Sequence, residues 1–283
     1  MPLDLSLVGQ SGPARVLDYT WKDTVLYALG VGAKKEELDY LYEGRGPKVL
    51  PSFAVVPMFE PMLERIVKTG GDLAMVVHGS ERVKVHGEFP GKGKLSATSK
   101  LSGIYDLRKL AVVLVDTAIT VDDTPLAETR TQIIIRGAGG FGGETPPKEE
   151  KIADIPKERA ATPDFSIEEK TSPEQALLYR LSGDYNPLHA DPELAAKVGF
   201  EQGPILHGLC TLGHMVRHAA KGGLGGDALR LTGFGCKFTK PVWPGDTLVT
   251  EGWLLDGNRM ALQVKVKERD EVVAGAGFAT YRS

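Results

Sequence analysis

Asp184, Asn186 and His189 fall within six residues of one another in the stretch Leu181-Ser182-Gly183-Asp184-Tyr185-Asn186-Pro187-Leu188-His189. A carboxylate and an imidazole aimed at one water make a general acid/base pair, the kind that adds water to a polarised double bond or removes it. Gly183 permits backbone conformations that a side chain forbids, and Pro187 pushes Asn186 toward extended geometry. The stretch is therefore expected to be a rigid, non-helical connector on which all three side chains can point into one small volume. The competing reading is a plain turn, because Asp, Asn, Gly and Pro are common turn formers and a lone His is usually structural.

Hydrophobic periodicity supplies the elements that would hold this connector. Tyr19 to Gly30 reads as a short helix, with Thr20 and Asp23 spaced as in a capping box. Val49 to Met62 is apolar and broken by Pro51, Pro57 and Pro61, which predicts an irregular lead into a helix ending near Gly70-Gly71; Pro51 and Pro57 are expected to interrupt a regular helix of the first half and leave apolar space in its place. Met75 to Val85, Gly93 to Tyr105, Lys109 to Thr120 and Thr129 to Arg136 read as strands of an antiparallel sheet. Gly137-Ala138-Gly139-Gly140-Phe141-Gly142 fits a dinucleotide-binding pattern. No helix pattern follows it, only Pro146-Pro147 and a charged run, so it reads as a linker. The second half repeats the order: a helix from Ser172, the connector, a short helix capped by Asp191, a longer apolar helix from Pro204 to Ala220, and four strands.

The halves look like copies. Tyr27 and Tyr179 lie 152 positions apart in similar surroundings, and Pro90 and Pro244 lie 154 apart. On this register Gly32, Lys34 and Glu37 stand where Asp184, Asn186 and His189 stand in the second half, so one acid/base set per chain is expected. The division is a first half 1–136, a linker 137–161 and a second half 162–283.

Composition excludes several classes. Among 283 residues, 34 Lys and Arg stand against 37 Asp and Glu, so no basic surplus points to nucleic acid. Cys210 and Cys236 both lie in apolar stretches, which fits a reducing compartment and gives neither a disulfide framework nor a cysteine zinc site. No targeting pattern precedes the first helix, no apolar run approaches membrane-spanning length, and Tyr281-Arg282-Ser283 is not a peroxisomal address. A cytoplasmic protein without membrane association is expected. His207, His214 and His218 share one helical face, but Arg217 adds positive charge beside them and no glutamate stands in an H-E-x-x-H position. No metal and no cofactor is expected.

Ser182 to His189, then Pro204-Ile205-Leu206-His207-Gly208-Leu209-Cys210-Thr211, then Lys237-Phe238-Thr239-Lys240-Pro241-Val242-Trp243-Pro244-Gly245-Asp246 together resemble the MaoC-like (R)-specific enoyl-CoA hydratases. The similarity is greatest to the branch that includes the hydratase unit of peroxisomal multifunctional enzymes. It spans nearly the whole chain and implies an α+β double hot-dog fold, two tandem repeats each wrapping an antiparallel sheet around a central helix. It also implies reversible syn hydration of trans-2-enoyl-CoA to (3R)-hydroxyacyl-CoA, with Asp184, Asn186 and His189 as the catalytic set. The matching oxyanion donor is the Gly208 N–H, and the physics agrees: a helix's first N–H groups lack intrahelical partners and its dipole favours negative charge there. Close packing is the alternative reason for a glycine at that place. The resemblance further suggests acyl-CoA contacts at His78, Gly79, Arg108, Tyr185, Pro187, Leu188 and Phe238, and a homodimer. A dehydratase acting on acyl carrier protein and a non-catalytic acyl-CoA binder are the alternatives. A hot-dog thioesterase is disfavoured by the D-x-N-P-x-H arrangement.

Overall fold

The computed structural model describes residues 3–283. In chain order the elements are β1 (Arg15–Tyr19), α1 (Trp21–Gly30), α2 (Leu38–Leu41), α3 (Val55–Lys68), and strands β2 (Val76–Val85), β3 (Gly93–Leu107), β4 (Leu110–Val121) and β5 (Thr124–Arg136). They continue with β6 (Phe165–Lys170), α4 (Gln175–Tyr179), α5 (Pro192–Lys197), α6 (Gly208–Gly223), and strands β7 (Leu231–Phe238), β8 (Thr247–Leu255), β9 (Arg259–Val266) and β10 (Glu271–Tyr281).

By compactness the chain forms two units. One holds the chain through Asp18 with residues 54–87 and 94–151; the other holds residues 19–53, 88–93 and 152–283. The boundaries read from sequence follow chain order, whereas packing assigns α1 and α2 to the second unit. The cause is a set of bonds between residues far apart in sequence. Gln175 donates to the carbonyls of Gly30 (2.7 Å) and Leu29 (3.2 Å), and the Tyr40 hydroxyl donates to Gly226 O at 3.1 Å. The stretch 137–161 is also divided. Gly140 and Gly142 donate to the Asp106 carboxylate in the first unit, and Trp253 donates to Arg159 O in the second. Residues 143–156, after the glycine-rich turn, carry neither helix nor strand.

Strand order in the first unit is β1-β3-β4-β5-β2 and in the second β6-β8-β9-β10-β7. Adding five to each label converts one order into the other, which is what a duplicated unit requires. Neighbouring strands in both units pair antiparallel wherever a register is defined, for example Val113 with Ile133 and Gly252 with Leu262. Each sheet packs on one helix. From Leu209 to Ala220 every residue of α6 is buried, as expected of a helix wrapped by a sheet. In α3 only one face is buried, by Val55, Met58, Met62 and Ile66, while Leu63 and Val67 stay exposed.

The expected interruption of the first helix does not occur. α3 runs unbroken from Val55 to Lys68. Pro57 occupies its first turn, where the N–H it lacks would have had no intrahelical acceptor, so the proline costs the helix little. Pro61 removes one interior bond without ending the helix. Ala54, Val55 and Met58 are at most 2% exposed, so no vacated space lies there.

Candidate active site

The connector in the second unit holds no α-helix, only two short 3₁₀ turns on either side of Gly183 to Asn186. Gly183 has φ +121°, a conformation side chains disfavour, and it lets the chain turn out of a 3₁₀ segment at Arg180–Ser182. Asp184 Oδ1 then accepts from Asn186 N at 3.2 Å, and Asn186 Oδ1 accepts from Leu188 N at 3.0 Å. The second bond caps a single 3₁₀ turn, Pro187–His189, with Pro187 in its first position. The turn chemistry and the site are thus built from the same residues: Asn186 shapes the loop that carries Asp184 and His189.

His189 is 8% exposed, and its Nδ1 donates to the carbonyl of Ile205 at 2.8 Å. A carbonyl only accepts, so Nδ1 carries the hydrogen and Nε2 is left with a lone pair. Burial lowers the pKa of His189, opposed by the Asp184 carboxylate and the Ile205 bond and reinforced by Arg180, so the ring is neutral near pH 7. A carboxylate oxygen of Asp184 and a nitrogen each of His189 and His207 all lie within 4.8 Å of one another. Such a separation can be spanned by one water hydrogen-bonded to two groups.

Gly208 opens α6, and the first intrahelical bonds run from Cys210 N and Thr211 N to His207 O. The Gly208 and Leu209 amides thus precede the ladder at the positive end of the helix. A Cβ on Gly208 would sit 3.2–3.3 Å from the Phe238 ring, so close packing also favours glycine. The extended lead-in is pinned by Leu206 N to Val242 O (2.7 Å) and Trp243 Nε1 to Gly203 O (3.2 Å). This is how the turn Pro241 to Asp246 positions a helix start many residues away. A cavity of about 330 Å³ opens beside His189, lined by Pro173, Ala176, Leu177, Pro204 and Trp243 among others.

His207 stands nearest the pair. Its ring stacks on His189 with centroids 3.6 Å apart and planes 27° apart, and its Nε2 lies 3.2 Å from Asp184 O. Sequence reading set His207 beside His214 and His218 as one helical face. The structure separates them: His214 and His218 turn to Glu169, with contacts of 3.2 and 3.5 Å. Glu169, His214 and His218 bring ligand atoms within 4.8 Å of one another. Arg217 pairs with the same carboxylate, and Lys34 stands 3.5 Å from it. Two cations already around one carboxylate oppose a divalent metal there. Burial pushes the Glu169 pKa up, but the two imidazoles and Arg217 outweigh it and hold it far below the usual carboxylate range. Burial drives His214 down to about 4 despite Glu169.

Arg217 also donates to Glu37, to Val31 O (3.0 Å) and to Gly32 O (2.7 Å). Gly32, Lys34 and Glu37, which stand in register with the acid/base set, therefore serve this buried ion cluster on α6.

Comparison with known proteins fits this geometry. Residues 154–276 match the MaoC like domain, and residues 17–137 match the MFE-2 hydratase 2 N-terminal domain. The Mycobacterium tuberculosis enoyl-CoA hydratase ChsH3 is 39% identical, with 98% of each chain covered. The chain belongs to the MaoC-like hydratase family. A peroxisomal enoyl-CoA hydratase 2 of Arabidopsis thaliana is 36% identical over 98% of this chain and 94% of its own. The crystal structure of a MaoC-like dehydratase from Phytophthora capsici superposes with a TM-score of 0.87 at 32% identity, covering 99% of this chain and 98% of that one. The double hot-dog architecture of the MaoC-like proteins is thus the architecture of this chain.

Within this MaoC-like fold the second unit holds Asp184, Tyr185, Asn186, Pro187, Leu188, His189, Gly208 and Phe238, and the first holds His78, Gly79 and Arg108. His78 and Gly79 lie at a bulge in β2, where Nε2 of His78 is 3.1 Å from the buried Glu81 carboxylate. Arg108 occupies the tight turn between β3 and β4 with φ +64°, unusual for a residue other than glycine. Sequence reading gave Glu81 and Arg180 no place at the site and set His207 with His214 and His218 instead of with Asp184 and His189. Of these only His207 carried a signal, its place directly before the first glycine of an apolar helix.

Proposed function

We propose that this chain is an (R)-specific 2-enoyl-CoA hydratase, interconverting trans-2-enoyl-CoA and (3R)-hydroxyacyl-CoA. The observation that carries the reading is the His189 tautomer: Nδ1–H is committed to Ile205 O, leaving a bare Nε2 on a neutral ring that has a nitrogen within 4.8 Å of an Asp184 carboxylate oxygen. A water held between them gives a proton to Nε2 as its oxygen bonds to C3, while Asp184 accepts the second O–H and favours the imidazolium that forms. Charge moves onto the thioester oxygen, where the Gly208 N–H and the α6 dipole favour it. The imidazolium then returns the proton to C2. Both additions come from one side, so the outcome is syn, with one O–H and the C2=C3 π bond broken and one C–O and one C–H formed.

Asn186 holds the loop. Tyr185, Pro187, Leu188 and Phe238 are assigned to the substrate, and for the first unit the resemblance assigns His78, Gly79 and Arg108, each testable by KM. No cofactor enters this scheme. The setting is taken as cytoplasmic, supported by two buried free thiols, Cys210 and Cys236; the peroxisomal relative names the alternative compartment. Among the described residues no helix is long and apolar enough to cross a membrane. A homodimer is expected, supported by Leu177, Leu181 and Tyr185, each at least half exposed; a monomer in light scattering at micromolar concentration would contradict it.

The test is loss of enoyl-thioester absorbance with crotonyl-CoA, run beside the same acyl group on acyl carrier protein. Turnover of the CoA ester is expected. Turnover of the carrier-protein ester alone would favour a carrier-protein dehydratase, and none with either would favour a binder.

A further inference from the structure

We infer that His207 is a positioning residue for the acid/base pair, its edge fixing the peptide that carries Asp184 and its face fixing the ring plane of His189. The inference rests on the hydratase reading for its kinetic arm.

His207 occupies the N-cap of α6, a place that favours Ser, Thr, Asp or Asn because their side chains bond the helix's free amides. It makes no such cap bond. Its donor is committed 23 residues back in the chain, to the Asp184 carbonyl at 3.2 Å. Because a carbonyl accepts, Nε2 carries the hydrogen and Nδ1 is bare. That Nδ1 is buried and has no hydrogen-bond partner among the described residues. Packing alone would select an aromatic hydrocarbon here, which fills the same space without burying an unsatisfied nitrogen. The imidazole is explained by the bond to Asp184.

Two rings pack against it. His189 stacks on one face at 3.6 Å, and the Tyr179 ring lies 4.8 Å away at 53°. His207 is 1% exposed and covers one face of the His189 ring. The charged and titratable groups around the pair are Asp184, Arg180 and Tyr179. Burial, then His189 and Arg180, depress the His207 pKa well below the ordinary imidazole value. His207 also directly precedes Gly208, so one rigid peptide links the acid/base pair to the oxyanion donor.

Two variants separate the two functions: His207→Gln keeps a donor near Asp184 O and removes the ring, and His207→Phe keeps the ring and removes the donor. With crotonyl-CoA, each is expected to lower kcat roughly 10- to 100-fold with KM within about threefold, as for a misplaced catalytic group. His207→Ala should be slower than both. The acid limb of kcat/KM against pH should move up toward the ordinary imidazole value in His207→Gln, where water reaches His189, and stay in place in His207→Phe. Folded variants with parental kcat and an unmoved acid limb would overturn the inference. So would kcat losses that only follow a fall in thermal stability. A tautomer measurement on the parent needs neither substrate nor a folded variant. Nitrogen-15 NMR of labelled histidines should show hydrogen on Nε2 of His207 and Nδ1 of His189 at neutral pH, and the opposite tautomer at His207 would refute the inference. An inactive parent with the expected tautomers would count against the hydratase reading alone.

Discussion

Replacing Arg217 with methionine keeps most of the side chain's apolar length and removes its charge. Arg217 is 4% exposed and donates to both Glu37 oxygens, to Glu169, and to the carbonyls of Val31 and Gly32. Its loss strands two carbonyls and leaves Glu169 with Lys34, at 3.5 Å, as its only nearby permanent cation among the described residues. Removing one member of a buried ion pair costs about 3–5 kcal/mol, chiefly because the partner charge stays buried. For a chain of this size each kcal/mol is worth roughly 2–4 °C, so Arg217→Met should melt roughly 10 °C below the parent. Lysine should not rescue it, because a point charge cannot serve several acceptors in a fork geometry. Adding Glu169→Gln to Arg217→Met should recover part of the loss by removing the stranded charge. The assay is a thermal melt at neutral pH by calorimetry or circular dichroism. A melting point for Arg217→Met within about 2 °C of the parent, or no recovery in the double variant, would refute the view that this ion cluster anchors α6.

Asp184→Asn and His189→Gln should each reduce kcat by ~10²–10⁴-fold with the melting point little changed. The double variant should be scarcely slower than the worse single one, since both groups act on one water, and additive losses in steady-state kinetics would contradict this. Stability should begin to fall below pH 6.5, before most carboxylates titrate. Burial lowers His214 from 6.5 to about 4, so between those values the unfolded chain binds more protons and acid favours unfolding, by roughly 3 kcal/mol for this group. Urea midpoints from pH 7 to 5 should show this slope in the parent and a shallower one in His214→Phe. Ala54→Phe should destabilise by about 1–3 kcal/mol, because Ala54 is fully buried at the start of α3 and has no room for a ring. A parental urea midpoint would show that an apolar space is present after all.

The repeat, the strands and the connector were legible because each leaves a local trace. Matched residues recur at similar spacing, Gly183 and Pro187 mark the turn, and the apolar run after Gly208 marks a helix buried on all sides. The tautomer of His189 left no such trace, since it depends on Ile205 O, which comes into reach only when the loop folds back. Nor could sequence join Arg217 to Glu169, 48 residues apart, or place α1 in the second unit through Gln175 and Gly30. The prolines near α3 were weighed by type and not by position, and a proline in a helix's first turn is no breaker. His207 was grouped by helical spacing with His214 and His218, whereas at the N-cap its side chain follows the loop, not the helix face.

The central claim is that one acid/base pair, Asp184 and His189, delivers both parts of a single water from one side of the double bond. Hydration of crotonyl-CoA in deuterium oxide, with the product's configuration read by NMR and chiral chromatography, tests it most directly. The account predicts (3R)-hydroxybutyryl-CoA with deuterium at C2 added to the same face as the hydroxyl. Anti addition, a (3S) product, or no hydration by the folded protein would contradict it.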